Sequence, residues 1–114
     1  DIFAGEHIID LVKRKYLSKT AKDNNLTVFI ETGTFKGDMI SALKNKFKKL
    51  YSIEVSHALY LGAKKRFSGI DKINIIEGDS AFKLNEILCN INESALFWLD
   101  AHCSEGITSQ GDKY

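Results

Sequence analysis

Four short apolar runs, separated by longer segments in which apolar residues recur with a helical period, constrain this chain more than any other feature. Residues 27–31 (TVFIE), 50–55 (LYSIEV), 73–77 (INIIE) and 95–100 (ALFWLD) are rich in β-branched and aromatic side chains and are bounded by turn residues. They read as strands. Between them, 37–49 carries Ile40, Leu43 and Phe47 on one helical face, 56–68 opens on Ser56 as an N-cap and stops before Gly69, and 80–91 opens on Ser80 as a cap and aligns Leu84, Ile87, Leu88 and Ile91. A first helix over 6–21 presents Ile9, Val12 and Tyr16. Strands that alternate with helices of about a dozen residues are joined by crossovers and therefore run parallel. Their continuous rather than alternating apolar character matches a sheet covered on both faces. The expectation is an α/β, Rossmann-like parallel sheet of about four strands with flanking helices.

The 114 residues suffice for a single domain, and 44% apolar with 27% charged residues excludes both a disordered chain and a membrane protein. The longest apolar stretch, 95–99, is far below the roughly 20 residues that span a bilayer, and no signal-peptide pattern opens the chain, so a cytoplasmic protein without membrane contact is expected. Cys89 and Cys103 form no C-x-x-C pair and read as reduced thiols. The chain opens at Asp1 rather than at methionine and stops at Tyr114 in a polar stretch, which reads as one truncated domain. The net charge of +1 hides an asymmetry: 13 Lys and Arg against 7 Asp and Glu in residues 1–66, then 3 against 8 in 67–114. The clusters Lys13, Arg14, Lys15 and Lys44, Lys46, Lys48, Lys49 read as solvated helix faces, because no aromatic residues interleave them as a nucleic-acid partner would require.

In an open α/β sheet, ligands bind beyond the carboxyl ends of the strands, where the strand order reverses. All four predicted strands deliver an acidic residue there: Glu31, Glu54, Glu77 with Asp79, and Asp100. Apolar strands have no structural need of such ends. The loop after the first strand, Glu31-Thr32-Gly33-Thr34-Phe35-Lys36-Gly37, places two glycines where positive φ and close ligand approach are useful. Glu54 lies 21 residues beyond Gly33, where a carboxylate can accept both hydroxyls of a ribose. An adenosine-type cofactor follows from the two features together.

The runs Val-Phe-Ile-Glu-Thr-Gly-Thr-Phe-Lys-Gly (28–37), Ser-Ile-Glu (52–54), Glu-Gly-Asp-Ser (77–80) and Phe-Trp-Leu-Asp-Ala-His (97–102) resemble those of class I S-adenosylmethionine-dependent methyltransferases. The last run, with Ser104, Gly106 and Gly111 behind it, is similar to a branch that methylates small molecules or sugars in polysaccharide and secondary-metabolite pathways. The resemblance implies the N-terminal, cofactor-binding part of a seven-stranded fold. It implies that Glu31 faces the methionine end of the cofactor, with Thr32, Gly33 and Thr34 around it. By the same resemblance Glu54 holds the ribose hydroxyls, Asp79 accepts from the adenine amino group beside Ser80, and Asp100 borders the transferred methyl. One departure is that Phe35 follows two residues after Gly33, where the family's common pattern has a third glycine.

Methyl transfer from a sulfonium is chiefly a matter of alignment. For a hydroxyl acceptor, Asp100 or His102 is the expected general base, with Asp100 as an alternative Mg²⁺ ligand. A His102–Cys103 dyad is disfavoured, because neighbours on an extended segment point to opposite sides. His7 and His57 read as surface residues, Trp98 as core, and Phe35 as either packing under the turn or a wall of the pocket. A nicotinamide-dependent oxidoreductase or epimerase would want a fuller G-x-G-x-x-G than the G-T-F-K-G present here. The alternative of another class is a non-catalytic nucleotide-binding module. Finally, the fourth strand, apolar on both faces, should remain partly uncovered or pair with a second chain.

Overall fold

The computed structural model describes the backbone of residues 2–99 and the side chains of residues 11–99. The elements follow in the order α1 (Ile2–Asp23), β1 (Val28–Thr32), α2 (Asp38–Leu43), β2 (Lys49–Glu54), α3 (His57–Arg66), β3 (Ile73–Glu77), α4 (Ser80–Asn90) and β4 (Ala95–Leu99). The four strands form one parallel sheet in the order β3-β2-β1-β4. From β1 the chain steps outward through β2 to β3, then returns to lay β4 on the other side of β1. The order therefore reverses between β1 and β4, and their carboxyl ends bound the crevice in which such sheets bind ligands. Asp100, His102, Cys103, Ser104, Gly106 and Gly111 lie outside the described residues, as do the side chains of His7 and Ile9.

Alternation along β1 builds both faces of the sheet. Phe29 points into a core shared with α1, α2 and α3, where Leu17, Ile40, Leu43, Leu50 and Ala63 are buried. Val28 and Ile30 point the other way, onto Ile53 of β2 and Ile87 of α4. Each buried aliphatic side chain contributes about 1.5–3 kcal/mol relative to exposure. Among the described residues three helices thus cover one face and one helix the other.

Two local expectations are corrected. The buried face of α1 is not the Val12 and Tyr16 stripe, which is 61% and 64% exposed; Leu17, at 1%, and Ala21 pack instead. Ala21 is small enough to let a helix approach closely, and both residues join the core that α2 completes. The predicted helix over 37–49 is shortened to six residues. Lys48 N and Lys49 N donate to Thr27 O (2.8 and 3.3 Å), which draws this stretch beside the start of β1 and seats Phe47 5.2 Å from Phe29. The remaining helical segments fall where expected, except that Leu88 is exposed while Ile87 is buried and that the cap of α4 differs, as described below.

Among the described residues β4 pairs only with β1, and Leu99 at its end is 60% exposed. Cys89 on α4 is a free, exposed thiol. No helix among the described residues is long and apolar enough to cross a membrane.

Candidate functional site

Register builds the site. Glu31 of β1 lies opposite Ser52 of β2 and Trp98 of β4, so the parallel pairing sets these three residues in one row across the sheet. They share the face on which Phe29 points, because residues two apart on a strand point the same way. A slip of one residue would turn Glu31 to the opposite face. Ser52 Oγ donates to Glu31 Oε2 at 2.7 Å, and Thr34 Oγ1 lies within hydrogen-bonding distance of Ser52 Oγ. A hydroxyl has one proton, so Thr34 is the donor in the second bond. Glu31, Thr34 and Ser52 are all buried, and this chain fixes the carboxylate orientation.

Above this row a cleft of about 330 Å³ is lined by Glu31, Gly33, Thr34, Phe35, Met39 and Trp98, with Lys13 and Arg14 of α1 on its outer wall. Gly33 has φ 83, in the left-handed region that favours glycine. Trp98, expected in the core, packs half-buried against it and also forms a wall of the cleft, with Lys13 Nζ 5.6 Å from its ring centroid. Phe35, left open between packing and wall, lines the cleft with an exposed ring and φ 52. The cluster Lys13–Arg14 is therefore not simply a solvated face. Its lengthwise spacing carried no sign of this, because only the packing of α1 brings it to the cleft.

Glu54 is buried and anchors the loop around the cleft. Its Oε1 accepts from Phe35 N and its Oε2 from Ser56 N, both at 2.9 Å. The first bond ties the turn after β1 to the end of β2. The expected cap Ser56 accepts from Leu59 N at the start of α3. Thr32 is buried at the end of β1 and is not among the cleft-lining residues.

Asp79 and Ser80 also lie outside the cleft lining. The N-cap of α4 is Asp79 rather than Ser80: Asp79 is extended, and its Oδ1 accepts from Ala81 N at 2.8 Å, while Ser80 is the first helical residue. Asp79→Ala is expected to lower the unfolding free energy by about 1 kcal/mol in urea titrations, with Asp79→Asn retaining most of it, since both residues cap well. Nearby, His57 is exposed as expected, its Nδ1 3.0 Å from both Glu77 oxygens.

The loop is closed on the α3 side by Arg66, whose Nη1 donates to Lys36 O and to Asp38 Oδ1, both at 2.8 Å. The hydrogen bond from Arg66 is the largest cause holding the Asp38 carboxyl below its ordinary value; burial opposes it, and the charges of Arg66, Arg14 and Lys36 assist. The folded-state pKa is depressed, so this contribution to stability is complete above the unfolded value near 3.8 and is lost as pH falls through the folded one. Both side chains are substantially exposed, so the effect is small and screened by salt. Asp38→Asn should flatten the acid limb of the stability profile below that pH, and high salt should do the same to the parent chain.

Among the described residues no group of three or more His, Cys, Asp or Glu side chains is placed to hold a metal ion. The described part of the cleft therefore offers no ligand group for the expected Mg²⁺. Asp100, its expected ligand, lies outside these residues.

A parallel sheet that reverses at β1 and is flanked by helices is an α/β, Rossmann-like fold. Solved structures bear this out. The O-methyltransferase from Bacillus cereus, a complex with SAH, is similar over 90% of this chain and 50% of its own, with a TM-score of 0.64 at 15% identity. The O-methyltransferase TomG from Streptomyces achromogenes, involved in tomaymycin synthesis and in complex with SAM, is similar over 78% and 43%, with a TM-score of 0.62 at 19% identity. CalS10, a SAM-bound amino pentose methyltransferase from Micromonospora echinaspora involved in calicheamicin biosynthesis, is similar over 64% and 29%, with a TM-score of 0.51 at 16% identity. The chain spans half or less of the length of each. No protein-family model and no curated protein matches the sequence.

Proposed function

We propose that this chain is the cofactor-binding part of an S-adenosylmethionine-dependent methyltransferase that methylates an oxygen of a small molecule or sugar. The observation that carries the reading is the Glu31 carboxylate, oriented by Ser52 on the floor of the cleft at the point of strand reversal. Bound S-adenosylmethionine supplies a methyl group activated by its sulfonium. Glu31 faces the ammonium at the methionine end, and Lys13, on the outer wall of the same cleft, suits the carboxylate of that end. Gly33 and Thr34 let the cofactor pass close to the backbone, with Thr32 behind them, and Glu54 takes the ribose hydroxyls. Asp79 and Ser80 lie toward the adenine. Asp100, next in sequence after the last residue of β4, and His102 are the proposed general bases for the acceptor hydroxyl. The oxygen acceptor draws support from the O-methyltransferases among the similar structures, and the sugar from the amino pentose enzyme.

Trp98 is the single tryptophan of the chain and lines the cleft, so its fluorescence reports on occupancy directly. Titration with S-adenosylhomocysteine should change that emission saturably, and NAD should not. Saturation by NAD with no response to S-adenosylhomocysteine would transfer the cleft to the nicotinamide enzymes. We further propose that the edge of β4, unpaired among the described residues, supports self-association, which sedimentation velocity checks: Phe97→Lys should shift the chain toward monomer.

A further inference from the structure

The two basic clusters, far apart in the sequence, meet in a second groove where α1 packs beside α2. Arg14, Lys15, Lys19 and Lys22 of α1 line one wall, and Lys46 with Asn45 the other. The groove encloses about 820 Å³ and reaches Thr27, at the opposite end of β1 from the cleft. Its floor is apolar, formed by Ala21, Leu26 and Ala42, and no carboxylate lines it among the described residues. Lys19 is paired with Asp23 at 2.9 Å, whereas Arg14, Lys15, Lys22 and Lys46 have no ion-pair partner among the described residues. Arg14 Nε, moreover, is shielded from solvent and has no hydrogen-bond acceptor among them. Arg14 also lines the cofactor cleft, so of these four the cations that belong to the groove alone are Lys15, Lys22 and Lys46.

We propose that this groove binds a small organic bisphosphate at a site separate from the cofactor cleft. Lys15 and Lys22 of α1 and Lys46 of the turn after α2, with no ion-pair partner among the described residues, create a positive potential that selects multiply charged anions. From Lys15 to Lys22 the helix advances about 10 Å, which accommodates a phosphoryl group toward each end and a short carbon skeleton over the apolar floor. No aromatic side chain among its lining residues offers a base a surface to stack on, which disfavours a nucleic-acid strand.

The test is calorimetric titration of the whole chain with fructose 1,6-bisphosphate, with and without saturating S-adenosylhomocysteine. The arm without it does not depend on the methyltransferase reading. Saturable binding of one molecule per chain with Kd below about 1 mM is expected. The double variant Lys15→Glu/Lys22→Glu should weaken it by about tenfold or more, and Lys65→Glu on α3, remote from the groove lining, should leave it within about twofold. Circular dichroism checks folding, and Lys15→Gln/Lys22→Gln replaces the double variant if charge reversal unfolds the chain. Absence of saturable binding overturns the proposal, and so does an equal loss in Lys65→Glu, which would mark diffuse attraction. Tighter binding of an oligodeoxythymidine than of the bisphosphate would overturn it in favour of a nucleic-acid surface.

Discussion

Gly37→Ala is expected to lower the thermal midpoint by about 10 °C or more, at about 4–8 °C per kcal/mol for a domain of this size. Gly37 precedes α2 with φ 91, a conformation that costs a residue with a Cβ roughly 1–2 kcal/mol. The added Cβ would also lie 2.6 Å from Cε2 and 2.9 Å from Cζ of Phe67. That ring is buried in the core on the face covered by α1, α2 and α3, so it moves only by disturbing packed neighbours, at about 1–3 kcal/mol. Gly69 supplies the control. Its φ of 85 imposes similar backbone strain, but a Cβ there meets nothing within 4 Å, so Gly69→Ala should be destabilised by the strain alone. The difference between the two melting curves isolates the Phe67 contact. Equal losses would show that the ring yields freely, and the packing argument would fail.

Glu54→Ala should weaken S-adenosylhomocysteine binding by about 10- to 100-fold, the size of one or more charge-assisted hydrogen bonds at 1.5–3 kcal/mol each. The proposed ribose contact is only half of the reason. The carboxylate also holds Phe35 N and Ser56 N, so its removal frees the turn that carries Gly33 and Phe35 along the cleft. A stability loss of about 1–3 kcal/mol should accompany the loss of affinity, and chemical denaturation without ligand measures it separately. Glu54→Gln makes a sharper test. Its amide keeps one oxygen acceptor but turns an NH₂ donor toward a backbone N–H, so it should restore little of either quantity. Destabilisation with unchanged affinity would leave Glu54 as a loop anchor only and remove it from the ribose site.

Much of this molecule is local and therefore legible along the chain. The β-branched runs became strands within a residue or two of their expected limits, because a short apolar segment between turn residues has few other ways to be buried. Ser56 caps α3 because a hydroxyl reaches an amide three residues on whatever surrounds it. The acidic strand ends were equally plain, since strand direction alone puts Glu31, Glu54 and Glu77 at one end of a parallel sheet.

What remained hidden depends on contacts between distant segments. Periodicity offered α1 an apolar stripe through Val12 and Tyr16, yet the helix buries Leu17 and Ala21, because the shape of the surface presented by α2 and the sheet decides which face fits. The assignment of Asp79 rather than Ser80 as the cap turned on one backbone conformation. The row Trp98–Glu31–Ser52 exists only once pairing register is set, and the capture of Glu54 by Phe35 N only once the first turn folds back over β2. The sequence by itself determined the kinds of element, their order and the chemistry carried at each strand end. The tertiary structure alone decided which of those groups meet, because register, helix rotation and turn closure are fixed by packing between residues whose separation along the chain leaves no local trace.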